Sequence, residues 1–391
     1  MTLVANAILI LALISLLIWI VLIIFRGGFW RADQCLAPVS MPIPSLPAVV
    51  AIIPARNEEM TVGRTITSLM DQDYAGDFSI ILINDNSEDD TVTAAKVAAQ
   101  GTDTVTIIDG KDLPAGWTGK MWAASQGVEA AKNKFPEASY FLFTDADIHH
   151  HPENLSELMA KALAEKRALV SLMVRLRCQS WSEHLLIPAF VFFFQKLYPF
   201  AWVNNPGNKT AGAAGGCMLV DRSALEKAGG IVAIKSEIID DCALARLLKK
   251  DHSIWLGLTR STTSLRGYDR LSDVWQMVSR TAFVQLNHSA INLIGTVIGM
   301  LFIYVVPIAS IFIGFLRQET DLLILGLAAW AMMSIAYTPT LRLYRRPIWE
   351  SCLLPLAALL YTVMTIDSAR QYWSGSAPSW KGRPNADRTI R

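Results

Sequence analysis

The stretch from Leu3 to Phe25 is almost wholly apolar, and no other feature of the chain limits its folding so sharply. It is long enough for a transmembrane helix and longer than the apolar core of a secretory signal. No basic residue precedes it, while Arg26 and Arg31 come directly after it. Residues 1–26 therefore read as an uncleaved membrane anchor, with the trailing basic residues holding the rest of the chain in the cytoplasm. Composition agrees: 52% of the residues are hydrophobic and only 18% charged, too apolar for a simple soluble enzyme. A net charge of +1 leaves no electrostatic footprint for nucleic acid. The five cysteines, Cys35, Cys178, Cys217, Cys242 and Cys352, form no CxxC pair and no closed disulfide set. Reduced thiols facing a cytoplasmic compartment are the plain reading.

Pro38, Pro42, Pro44 and Pro47 make the end of residues 27–47 a stiff, extended linker. From Ala48 the pattern changes. Strands are expected at Ala48–Ile53, Ser79–Asn84, Thr104–Asp109 and Tyr140–Thr144, and helices at Met60–Gln72, Asp90–Gln100 and Lys120–Asn133. That alternation predicts an α/β domain over 48–285, a mostly parallel sheet with helices on both faces. Ligands in such sheets bind beyond the carboxyl ends of the strands, where Asn57, Asp85 and Asp145 all fall. Leu185–Val203 is apolar but interrupted by Pro188, Gln195, Lys196 and Pro199, which favours an interfacial or acceptor-lining segment over a full span. Leu271–Gln285 has the pattern of an amphipathic helix. Residues 286–370 read as a membrane bundle, with spans at Ile291–Leu316 and Leu322–Thr340. Ser351–Ile366 is shorter and holds Pro355. If it crossed, the basic tail of residues 371–391 would lie outside, against the positive-inside tendency, so a re-entrant or interfacial segment stays open.

Asp145-Ala146-Asp147 follows a strand end, where both carboxylates can reach one cation. Hard cations such as Mg2+ or Mn2+ prefer such oxygens and bridge them to phosphates. The pair Asp240-Asp241 precedes a helix. It reads either as a general base with its proton affinity raised by a like charge, or as a helix cap. Asp85 offers an acceptor to a base or ribose. Gly116-Trp117-Thr118-Gly119-Lys120 offers a turn and a cation for phosphate without Walker A spacing. Gly212-Ala213-Ala214-Gly215-Gly216 permits close approach of a ligand, or is simply a turn. The consecutive His149, His150 and His151 diverge in most backbones, so a solvated turn ending at Pro152 is expected rather than a metal site.

In order along the chain, the motifs are Val50–Glu59, Ile83–Thr91, Thr118-Gly119-Lys120, Asp145-Ala146-Asp147, Gly215-Gly216 and Asp240-Asp241. They resemble the family-2 inverting glycosyltransferases with the GT-A fold, over roughly Ala48 to Phe283. The resemblance implies that Pro54, Ala55, Arg56 and Glu58 line a nucleotide pocket and that Asp85 reads the base. It implies further that Lys120 and Asp145 meet the nucleotide diphosphate, that Asp145 and Asp147 hold Mg2+ or Mn2+, and that Asp241 is the base. Gly215, Gly216, Asp240 and Arg280 would face the acceptor or diphosphate. The chain has Met277-Val278-Ser279-Arg280-Thr281 where processive synthases carry Gln-x-x-Arg-Trp, which speaks against polymerisation. Leu113–Lys120, the anchor and the tail Trp380-Lys381-Gly382-Arg383 narrow the resemblance to bacterial hopanoid-biosynthesis-associated glycosyltransferases, with carotenoid-acid and ceramide glycosyltransferases as relatives. The expectation is a multi-pass enzyme of the inner membrane with its catalytic domain in the cytoplasm. It would move one sugar from a UDP-sugar to a lipid acceptor at the bilayer. A polyprenyl-phosphate acceptor and a non-catalytic membrane scaffold are the competing readings.

Overall fold

The computed structural model describes residues 2–36, 46–375, 379–381 and 383–384. Pro38, Pro42 and Pro44 of the expected linker, and most of the expected basic tail, lie outside the described residues. In chain order the elements begin with helix α1 (Thr2–Phe25), strand β1 (Val49–Ala55), α2 (Val62–Met70), β2 (Phe78–Asn84), α3 (Thr91–Ala99), β3 (Val105–Asp109), α4 (Gly119–Lys134) and β4 (Tyr140–Thr144). Then come β5 (Ile148–His149), α5 (Asn154–Glu165), β6 (Leu169–Arg175), α6 (Trp181–Leu197), α7 (Phe200–Asn204), β7 (Cys217–Asp221), α8 (Arg222–Lys227), α9 (Asp240–Leu248) and β8 (Ile254–Ser264). The chain continues through α10 (Leu271–Ser279), α11 (Ala282–Gln285), α12 (Ala290–Met300), α13 (Val306–Arg317), α14 (Thr320–Leu343), α15 (Leu354–Trp373), β9 (Ser379–Trp380) and β10 (Arg383–Pro384).

The chain divides into two compact units. One comprises residues 33–177, 202–267 and 377–391 and contains the sheet; the other comprises 1–32, 178–201 and 268–376 and is helical. Residues 178–201 and 268–285, expected inside a continuous 48–285 domain, belong to the helical unit. The sheet has eight strands in the order β3-β2-β1-β4-β7-β6-β8-β5. Strands β3, β2, β1 and β4 run parallel, as strand–helix alternation predicts. Beyond β4 the sheet is mixed, because β7 enters antiparallel between β4 and β6. Every residue of β1 is buried, as befits a central strand covered on both faces.

The approach of α4 to this strand depends on one residue. A Cβ on Gly127 would collide with Ile52 Cγ2, so glycine lets the helix settle directly on β1. The Thr118 hydroxyl caps α4 by accepting from Met121 N. The helix therefore starts beside the strand ends and places Lys120 there.

In the helical unit, α6 opens with a capping box between Ser180 and Glu183, worth about 1 kcal/mol at the helix start. Among the described residues, four helical stretches are long and apolar enough to cross a membrane: Asn6–Phe25, Ala290–Arg317, Thr320–Leu343 and Ile348–Trp373. The second carries a π-helical turn at Leu301–Val305. Helices α13 and α14 pack through glycines. A Cβ at Gly314 would lie 2.7 Å from Leu323 N, and one at Gly326 would lie 2.8 Å from Pro307 O. Small residues at such a crossing are how membrane helices gain close van der Waals contact.

Candidate active site

Loops at the carboxyl ends of β1, β2 and β4 carry the residues singled out from the sequence. After β1, Arg56 is buried and its guanidinium is spent on the neighbouring loop. It donates to Asp85 O at 2.8 Å, to Asn86 O at 2.5 Å and to Glu88 Oε1 at 2.8 Å. Asp85 N donates to Ala55 O at 2.8 Å, tying the two strand ends together. Arg56 thus shapes the pocket through backbone carbonyls. Asn57, in the left-handed region at φ 50°, turns the chain so that Glu58 points back. Its Oε1 lies 2.5 Å from Arg266 Nη2 and 2.8 Å from Lys381 Nζ.

At the end of β4 the two aspartates have different surroundings. Asp145 is partly exposed and pairs with Lys120 Nζ at 2.9 Å. Asp147 is buried and takes Arg266 Nε at 2.6 Å. Burial and the Asp145 charge raise the Asp147 carboxyl above its ordinary value, while Arg266 opposes that shift. Among the described residues, no three His, Cys, Asp or Glu side chains could hold a metal ion together. Two hard carboxylates still fit Mg2+ or Mn2+, which complete their shells with substrate phosphates.

Lys120 joins this pair to the second one. Its Nζ lies 3.3 Å from Asp240 Oδ2. Burial alone would lower the ammonium pKa, but the carboxylates of Asp145 and Asp240 more than offset that and raise it. Asp241, in the first turn of α9, accepts from Gly215 N at 2.9 Å and from Cys242 N at 2.6 Å. Burial, with Asp240 beside it, pushes the Asp241 carboxyl up to about 6, against the pull of Lys120. A Cβ on Gly215 would lie 3.4 Å from Lys120 Nζ and 3.5 Å from Asp241 Oδ2, so this glycine keeps the space between cation and carboxylate open. Gly216 instead packs inward, where a Cβ would come within 3.0 Å of Val174 Cγ2. Pro54, Lys120, Asp145, Gly215 and Asp240 line one cleft.

Residues 50–229 match the family model described as glycosyl transferase family 2. The chain is 36% identical over 102 residues to the 4,4'-diaponeurosporenoate glycosyltransferase of Staphylococcus aureus (strain USA300), covering 26% of this chain. That match spans only 24% of the relative's length. The fold is similar to that of a mannosyltransferase from Pyrobaculum calidifontis, solved in complex with GDP-Man and Mn2+. The TM-score is 0.54 at 15% identity, with 92% of this chain and 98% of that chain covered. The likeness establishes a GT-A-like fold, here a mixed sheet with apolar helices before and after it.

Some residues are placed differently from what the sequence suggests. Arg280 belongs to the helical unit, at the C-terminal end of α10. His150 is not in a solvated turn. It is buried, bonded to Thr144 Oγ1 at 2.9 Å and to Asn154 Nδ2 at 3.1 Å. Burial pushes its pKa down to about 3, so it stays neutral and braces the loop after β4. Arg266 and Lys381 are site residues that sequence reasoning misses. No local pattern marks Arg266, whereas Lys381 sits in the Trp380–Arg383 tail motif.

Proposed function

We propose that the chain transfers one sugar from a nucleoside diphosphate sugar, a UDP-sugar in the first instance, to a lipid acceptor with inversion at the anomeric carbon. The observation that carries this reading is Lys120 Nζ, 2.9 Å from Asp145 and 3.3 Å from Asp240. It sets a fixed positive charge between the proposed cation-binding pair and Asp240, whose neighbour Asp241 has its proton affinity raised by burial. Asp145 and Asp147 would hold the divalent ion, which when bound offsets negative charge on the departing diphosphate. Lys120 would add a second positive charge there. Asp241 would take the proton from the acceptor hydroxyl as its oxygen attacks the anomeric carbon. The bond from that carbon to the diphosphate breaks, and the nucleoside diphosphate leaves. One displacement inverts the configuration.

The likeness to a carotenoid-acid glycosyltransferase and the four apolar helices support an isoprenoid-type lipid acceptor, of hopanoid or carotenoid kind, met at the inner membrane from the cytoplasmic side. A donor-hydrolysis screen of the purified chain tests the reading, with UDP- and GDP-sugars, Mg2+ or Mn2+, and with or without lipid extract. Turnover of a nucleotide sugar that rises with lipid is expected. Failure to bind any nucleotide in the presence of Mn2+ would favour a scaffold role instead. A polyprenyl-phosphate acceptor needs little help from a base, so unimpaired transfer by Asp241→Asn would favour that substrate.

A further inference from the structure

The Trp380-Lys381-Gly382-Arg383 motif has no role in the chemistry above, yet its described residues meet the donor side of the cleft. Strands β9 and β10 pair antiparallel through Trp380 with Arg383 and Ser379 with Pro384. Lys381 stands at the turn with φ 51°. Its Nζ donates to Asn57 O at 2.8 Å and lies 2.8 Å from Glu58 Oε1. Its carbonyl accepts from Arg56 Nε at 3.1 Å. All three partners lie in the loop after β1. Glu58 is largely buried and shares the same oxygen with Arg266, whose Nε holds Asp147 Oδ2 at 2.6 Å. Charges of alternating sign therefore run unbroken from Lys381 through Glu58 and Arg266 to Asp147. An exposed ion pair of this kind would contribute little. This one is partly buried, and Lys381 is fixed at its Nζ by the Asn57 carbonyl and at its own carbonyl by the Arg56 guanidinium, which makes it a positioning device.

We infer that the 379–384 hairpin is a wall of the donor pocket and that Lys381 is a positioning residue. It holds Glu58, and through Arg266 the Asp147 carboxylate, in the arrangement that receives a nucleoside diphosphate. The inference rests on the donor-site reading above.

The test is titration of the purified full chain with UDP and with GDP in the presence of Mn2+. Lys381→Gln is expected to raise the nucleotide Kd roughly tenfold, the size of one charge-assisted hydrogen bond lost. Its kcat at saturating donor and its thermal midpoint should stay near wild type. Lys381→Arg should restore binding to within about threefold, and a chain ending at Gly375 should lose it as Lys381→Gln does. Wild-type affinity in either Lys381→Gln or the shortened chain overturns the inference, as does an equal defect in Lys381→Arg. A wild-type chain that binds neither nucleotide overturns the donor-site reading, and this inference with it.

Discussion

Asp145 with Asp147 and Asp240 with Asp241 are carboxylate pairs linked through Lys120, yet their surroundings give them opposite characters. In the first pair each aspartate has its own cation, Lys120 or Arg266, and the spacing of one residue lets both face the same point. In the second, Lys120 reaches only Asp240, and Asp241 has backbone N–H groups for partners. Backbone donors fix a carboxylate in place without adding a full positive charge. Burial and a like charge beside it then keep the Asp241 proton affinity high. Identical side chains thus differ in proton affinity according to whether a full charge or a dipole faces them, which is what the proposed roles of cation seat and base require.

Four expected outcomes bear on that contrast. Asp241→Asn should lower transfer by about 10²–10⁴-fold, the usual contribution of a general base, while nucleotide binding measured by titration stays intact. Loss of binding in that variant would merge the two pairs into one function. Asp147→Ala should cost about 10²-fold or more in donor turnover, and chelation with EDTA should stop turnover until Mn2+ or Mg2+ returns. Turnover unaffected by EDTA would remove the cation from the first pair.

The pH profile should separate the pairs as well. A base must be deprotonated to act, and the Asp241 carboxyl is pushed up to about 6. Below that pH the transfer rate should fall about tenfold per unit, with the limb at about 6 absent from the small residual activity of Asp241→Asn. The smallest effect concerns the helix that ties the pairs together. Gly127→Ala would press a methyl against Ile52 and should destabilise the sheet unit by about 1–3 kcal/mol, read as a lower thermal midpoint.

Much of the sheet is legible in the sequence because buried strands and amphipathic helices leave periodic marks. The pattern places Tyr140–Thr144 as observed, and the aspartates after it follow from that strand end. Strand direction leaves no such mark. Nothing in Cys217–Asp221 indicates that it runs against β4. Contacts made across the fold are equally silent. Arg266 meets Asp147 from 119 residues away, a distance over which local pattern carries no information. His150 misleads for a related reason: a run of three histidines looks solvated, and only the packing of Asn154 and Thr144 around it shows a buried strut.

The hydrogen bond from Arg56 to the Lys381 carbonyl spans 325 residues of sequence, and that separation has a meaning in time. At about 5–20 residues per second of synthesis, roughly 16–65 s pass between the emergence of one partner and the other. Through that interval the strands of the sheet can pair while the loop after β1 lacks its last contact. That loop is therefore braced late, only after the helical unit has been made.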